Sequence, residues 1–267
     1  MPPSPGIRIM DFDLYIGIDY SGAETPDSLL RGLQVFAAAA GQEPHAIRNP
    51  ADAQAHRGIW SRRAVAQWLL AQVASGQRLL VGIDHGFSFP KSYLDRHQLR
   101  TWPEFLDHFQ QRCTSGMPDA CVDRNGPLQA LPIGRSDELR LCERWTCWAK
   151  GAFQFDVQGS NAMSTHAGIP WLRHLRGQAQ DRIHIWPFDG WQLPERESSV
   201  IAEVCSPMLR ERYPRADRTA DEQDAYAAAR WLAETAGRGV LERYLNPPLT
   251  HAERQVAALE GWILGVG

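Results

Sequence analysis

Residues 15–26 read YIGIDYSGAETP. Tyr15, Ile16 and Ile18 surround Gly17 in a short apolar run that ends on Asp19 and breaks at Ser21-Gly22. Such a run reads as a buried strand, and its ending on a carboxylate needs a reason. Residues 79–90, LLVGIDHGFSFP, repeat the Gly-Ile-Asp ending at Asp84. Two strands that end alike, each on an acid, predict one shared site.

The chain around these two strands reads as an alternating pattern. Residues 32–40 predict a second strand after a turn at Thr25-Pro26-Asp27-Ser28, and residues 44–48 a short third. Residues 61–76 carry Ala64, Val65, Trp68, Leu69 and Val73 at helical spacing, with Gly76 as the stop. Residues 79–84 form the fourth strand, and residues 182–188 and 199–205 are further strand candidates. Thr219 followed by Glu222 is a capping box that opens a helix over 218–237, and Thr250 with Glu253 opens a last one. Three strands in sequence predict a meander, and the helix-linked strands predict parallel pairing by right-handed crossovers. The expected class is α/β, a mixed sheet with helices on its faces.

Residues 1–12 read as a loose N-terminal tail without an apolar signal core, and 13–267 as a single domain. The middle, 90–180, is rich in proline and tryptophan and reads as an insertion or cap, with helices at 101–113 and 137–148 and a loop at 115–136. No apolar stretch approaches the roughly 20 residues that span a bilayer. The five cysteines, at 113, 121, 142, 147 and 205, include no Cys-x-x-Cys pair. They read as free thiols of a reducing, cytoplasmic compartment, with a zinc site from the first four as the alternative. A net charge of −3 gives no global attraction for nucleic acid. Arginine greatly outnumbers lysine, since only Lys91 and Lys150 occur.

The candidate chemistry is acidic. Asp19 and Asp84 end strands, Glu203 lies near the end of 199–205, and Asp221 and Asp224 share a face of the capped helix. Asp224 also lies on a stripe with Ala228, Trp231 and Thr235, which would aim it inward. Buried carboxylates that converge repel one another unless a cation or a proton intervenes. Oxygen-only donors suit Mg2+ or Mn2+ rather than zinc, and two such ions would serve phosphodiester hydrolysis. No organic cofactor is implied. Each acid also has a structural reading. Asp19 can cap a turn, Asp221 can favour the helix dipole, and Glu203 can pair with an arginine of the 90–180 region.

These residues resemble the ribonuclease H-like superfamily: an acid after strand one, an acid after strand four and Asp-x-x-Asp on a late helix. The ordered set GIDYSGA, VGIDHGFSFP, FQFDVQGSNAMSTHAGIPWLRHLR, IWPFDGW, AEVCSP and RTADEQDAYAAARWL resembles the predicted RNase H-like nucleases of domain-of-unknown-function family 429, over about residues 13–236. The resemblance implies an RNase H-like mixed five-stranded sheet with flanking helices and a large insertion between strands four and five. It implies a metal-dependent nuclease acting on nucleic acid or a nucleotide-like substrate. Asp19, Asp84, Glu203 and Asp224 would be its catalytic metal ligands, with Asp221 beside them. Family members often carry Glu-Val-aromatic-Pro after the late strand, where this chain has Glu203-Val204-Cys205-Ser206-Pro207. In the polar stretch 155–172, Gln158, Ser160 and His166 are candidates for lining the cleft, His166 as a proton shuttle, and Lys91 for a phosphate contact. The competing readings are a polar loop for that stretch and a surface position for Lys91. Two other functions fit the same core: a relative of the actin-like ATPases and sugar kinases, through Asp19-Tyr20-Ser21-Gly22, or a non-catalytic binding protein.

Overall fold

The computed structural model describes residues 11–52, 58–112, 134–157, 160–194 and 198–267. Six strands form one mixed sheet: β1 (Leu14–Asp19), β2 (Gln34–Ala38), β3 (His45–Ala46), β4 (Leu79–Asp84), β5 (Ile183–Trp186) and β6 (Ser199–Glu203). Their order is β3-β2-β1-β4-β6-β5. The first three form the antiparallel meander, and β1, β4, β6 and β5 run parallel. The sheet therefore has six strands rather than five. Both late candidates join it, β6 beside β4 and β5 outside β6 as a parallel edge.

Helix α1 (Arg62–Ala74) begins at the N-cap Ser61, whose hydroxyl accepts from the Ala64 amide, as its sequence periodicity predicts. Through the middle run α2 (Lys91–Arg96), α3 (Trp102–Arg112), α4 (Leu141–Arg144) and α5 (Ala162–Ala179). The C-terminal third holds α6 (Ala220–Gly237), α7 (Leu241–Leu245) and α8 (His251–Glu260). Thr219 and Thr250 form the two expected capping boxes. The predicted helix at 137–148 shrinks to the single turn α4. Helix α5, by contrast, occupies much of a segment that reads as polar loop, and it contains Pro170. None of these helices is long and apolar enough to cross a membrane.

Strand alternation sends side chains to two cores. Ile16, Ile18, Val81, Ile83, Ile185 and Ile201 face a layer built from α1, α3 and α5. Tyr15, Leu80, Val200, Ala202 and Val204 face α6, α7 and the C-terminal residues Trp262–Leu264. Phe87, Phe89, Phe105, Phe109, Ile169 and Leu172 share the first core with the sheet. The described residues of 90–180 thus join α1 in the layer that covers this face of the sheet. The stretch 113–133, with Cys113 and Cys121, lies outside the described residues, as do residues 1–10. Within the expected tail, Phe12 is buried and the Asp11 carbonyl accepts from Arg78 at 2.7 Å.

Gly17 and Gly82 are register partners in adjacent strands, and both face α6. A Cβ on Gly17 would lie 2.1 Å from the Ala225 carbonyl oxygen and 2.5 Å from the Ala229 nitrogen. On Gly82 it would lie 2.8 Å from a Val204 methyl. The glycine pair thus leaves a flat floor on which α6 rests its small residues Ala225, Ala228 and Ala229. This explains the repeated Gly-Ile-Asp. Gly admits the helix, Ile fills the opposite core, and Asp, two residues beyond Gly, returns to the helix side. A methyl at Gly17 meets helix backbone, which no rotamer change relieves. Gly17→Ala is therefore expected to cost about 3 kcal/mol or more, read as a lower urea midpoint.

Candidate metal centre

The same register pairs Asp19 with Asp84 across β1 and β4. The capped start of α6 brings Asp224 down over both. One carboxylate oxygen from each of Asp19, Asp84 and Asp224 lies within 4.8 Å of the others. Asp224 is buried, and Asp19 and Asp84 are half-buried at the C-terminal ends of their strands. Its stripe partners Ala228, Trp231 and Thr235 are buried as the helical spacing predicts.

The electrostatics follow from crowding. Burial first, then the charges of Asp84 and Asp224, push Asp19 well above the usual carboxylate range. Burial also lifts Asp84 to about 7; neighbouring Ser206 opposes the rise, and Asp224 and Glu203 add to it. Burial raises Asp224, and Arg210 counters it. The unfolded chain titrates Asp84 near 3.8, so the native state carries the extra proton between about pH 4 and 7. Holding the carboxylate ionised therefore costs stability that is absent below pH 4, grows through this window and is complete above it. Asp84→Asn is expected to stabilise the metal-free protein at pH 8 and much less at pH 5. Urea denaturation of both proteins at the two pH values measures that difference.

Arg210 is a participant that the acidic pattern did not mark. It follows β6, and its guanidinium grips both oxygens of Asp224, Nε to Oδ1 at 2.8 Å and Nη2 to Oδ2. Asp221 lies one turn before Asp224 and is exposed, outside the trio. Its Oδ2 would stand 3.4 Å from a Cβ on Gly32, which places it at the rim of the site. Beside that rim runs a cleft of about 420 Å3, lined in part by Arg31, Gln34, Arg48, Trp60 and Asp221.

Glu203 stands elsewhere, which corrects its expected place among the ligands. It is in register with Ile83, so it points to the sheet face opposite Asp19 and Asp84. There Arg140 donates Nη1 to Oε2 at 2.7 Å and Nη2 to Oε1, and the Phe87 amide adds a bond of 3.1 Å. This is the alternative reading of Glu203, an arginine partner from the 90–180 region. Arg140 also donates Nε to Glu143 at 2.8 Å, and Glu260 accepts from the Lys91 and Leu141 amides. The network locks β6, α4 and α8 together around charges that are almost wholly buried.

Among the described residues, the other candidates His166, Ser160 and Lys91 have contacts of their own. His166 is fully buried, its Nδ1 is 2.8 Å from the Ala162 carbonyl, and its ring packs among Phe89, Phe109 and Phe155. A proton shuttle needs access that this position lacks. The Ser160 hydroxyl accepts from the Ala162 amide at the start of α5. The Lys91 ammonium pairs with exposed Asp95 at the surface. Gln158 lies outside the described residues. Cys142 is buried and Cys147 exposed, both as free thiols.

The turn after Asp19 is packed rather than open. A Cβ on Gly22 would lie 2.3 Å from Met163 backbone, and Ser164 donates its hydroxyl to the Tyr20 carbonyl at 2.7 Å. Buried Arg62 donates to the carbonyls of Ser21, Ala23 and Glu24. The loop is thereby fixed, and it holds Asp19 in place. No family model, curated protein or solved structure matches the chain.

Proposed function

We propose that this chain is a divalent-cation-dependent phosphodiesterase of the RNase H-like type, acting on nucleic acid or a nucleotide-like substrate. The observation that carries the reading is the convergence of Asp19, Asp84 and Asp224 from two adjacent strands and a helix. The donors are all oxygen, as Mg2+ or Mn2+ requires. With bonds of about 2.1 Å, adjacent ligands of one octahedral Mg2+ stand about 3 Å apart and opposite ones about 4.2 Å, so the three carboxylates would draw closer together on binding an ion. A bound Mg2+ or Mn2+ would lower the pKa of water and offset charge on the phosphoryl oxygens. Asp19 and Asp84 would hold the ion from the sheet and Asp224 from the helix, while the Arg62-braced loop keeps Asp19 still. The neighbouring cleft, with Arg31 and Arg48 on its lining, offers a path for a phosphate-bearing chain.

The packing of Gly22 against α5 closes one side of the turn that the ATPase and kinase reading would use for a phosphate, and so disfavours that reading. The Arg210–Asp224 pair favours a second reading, a binding protein whose acidic site is neutralised from within. Mn2+ distinguishes them. Millimolar Mn2+ is expected to raise the melting temperature of the wild-type protein and not of Asp224→Asn, and to support cleavage of a labelled single-stranded oligonucleotide. A thermal shift without cleavage would favour the binding protein, and no shift would remove the metal reading.

A further inference from the structure

We propose that Arg210 is the resident counter-ion of the Asp19–Asp84–Asp224 site, that a divalent cation displaces it from Asp224, and that the freed guanidinium then binds an anionic oxygen of the phosphodiester. This inference rests on the metal reading above. Arg210 occupies both oxygens of Asp224 in a fork–fork pair. An ion shared by the trio needs one of those oxygens and brings a second positive charge against the guanidinium. The two cations therefore compete for one carboxylate.

The geometry suits an exchange. The Arg210 side chain is 41% exposed, whereas that of Asp224 is 8% exposed. The Arg210 carbonyl accepts from Gln223 Nε2 at 3.0 Å, which ties its backbone to α6. Only the side chain needs to move. A guanidinium fork that fits a carboxylate also fits two oxygens of a phosphate. A phosphate brought to the trio arrives beside the group that has just lost its partner. The same arginine then suppresses repulsion before metal binds and helps to hold the substrate afterwards.

Calorimetric titration of Mn2+ into wild type, Arg210→Met and Arg210→Lys tests the exchange. Adenosine 5′-monophosphate titrated into the Mn2+-loaded proteins tests the second role. Arg210→Met is expected to bind Mn2+ about tenfold tighter or more, because a competing charge is gone. Loaded with Mn2+, it is expected to bind the nucleotide about tenfold more weakly. Arg210→Lys, which keeps the charge without the fork, should fall between on both and preserves a folded comparison if the Met variant is unstable. If wild type binds Mn2+ and neither variant binds it tighter, the exchange is wrong while the metal reading stands. Unchanged nucleotide affinity overturns the second role alone. If none of the three proteins binds Mn2+ at millimolar concentration, the metal reading itself fails and the exchange with it.

Discussion

Asp19→Asn and Asp224→Asn, made separately, are expected to lower Mn2+-dependent phosphodiester hydrolysis by about a thousandfold or more while leaving the protein folded. The two residues enter the site from different elements, β1 and α6, and each contributes an oxygen to the same small volume. An amide keeps the shape and removes the charge that an ion would need. Asp19 is already pushed toward its protonated form by burial and by Asp84 and Asp224. Its neutral isostere should therefore be tolerated, and the metal-free variant should melt no lower than wild type. Loss of hydrolysis together with an unchanged circular dichroism spectrum is the expected result. Wild-type hydrolysis in both variants would remove the trio from the chemistry.

Arg140→Met is expected to destabilise the protein by about 3–5 kcal/mol, since breaking a buried pair strands its partners. Glu203 and Glu143 would both lose their guanidinium in surroundings where they are 2% and 3% exposed. Burial already raises the pKa of Glu143 even with Arg140 beside it. The arginine also donates to the Glu260 carbonyl at 3.2 Å, so the C-terminal helix would loosen with β6. Replacing Arg140, Glu143 and Glu203 together by Met, Leu and Leu should recover part of the loss, because no charge is left behind while the backbone amides of Phe87 and residue 140 lose their carboxylate acceptors. Urea unfolding of the single and triple variants measures both effects. A single-variant cost below about 1 kcal/mol would mean that the network is better hydrated than its burial indicates.

The elements that hold the trio were legible because they are locally encoded. Continuous apolar runs mark β1 and β4, and the Thr219–Glu222 box marks α6. The Gly-Ile-Asp repeat marked two acids that stand side by side, although its glycines gain their meaning only with the helix resting on them. Glu203 shows what a linear reading leaves open, since both a ligand role and an arginine partner fit it. It follows Ala202, a residue in register with Gly82, and strand alternation turns it to the other face. A one-residue difference in parity separates a place beside Asp19 and Asp84 from a buried ion pair. Arg210 was invisible for another reason. In a chain so rich in arginine, nothing local distinguishes the one that folds back onto Asp224. Helix α5 was obscured by its polar first turn and by Pro170, which interrupts the helical hydrogen-bond pattern. His166 then read as a loop residue when it is a core one.

If Asp19, Asp84 and Asp224 share a divalent cation, a crystal soaked in Mn2+ will reveal it. Anomalous scattering is expected to show a peak within about 2.0–2.3 Å of one oxygen from each of the three carboxylates, with the Arg210 guanidinium withdrawn from Asp224. A map at millimolar Mn2+ with no peak there, and with Arg210 still bound to both oxygens of Asp224, would mean that the three acids hold no such ion.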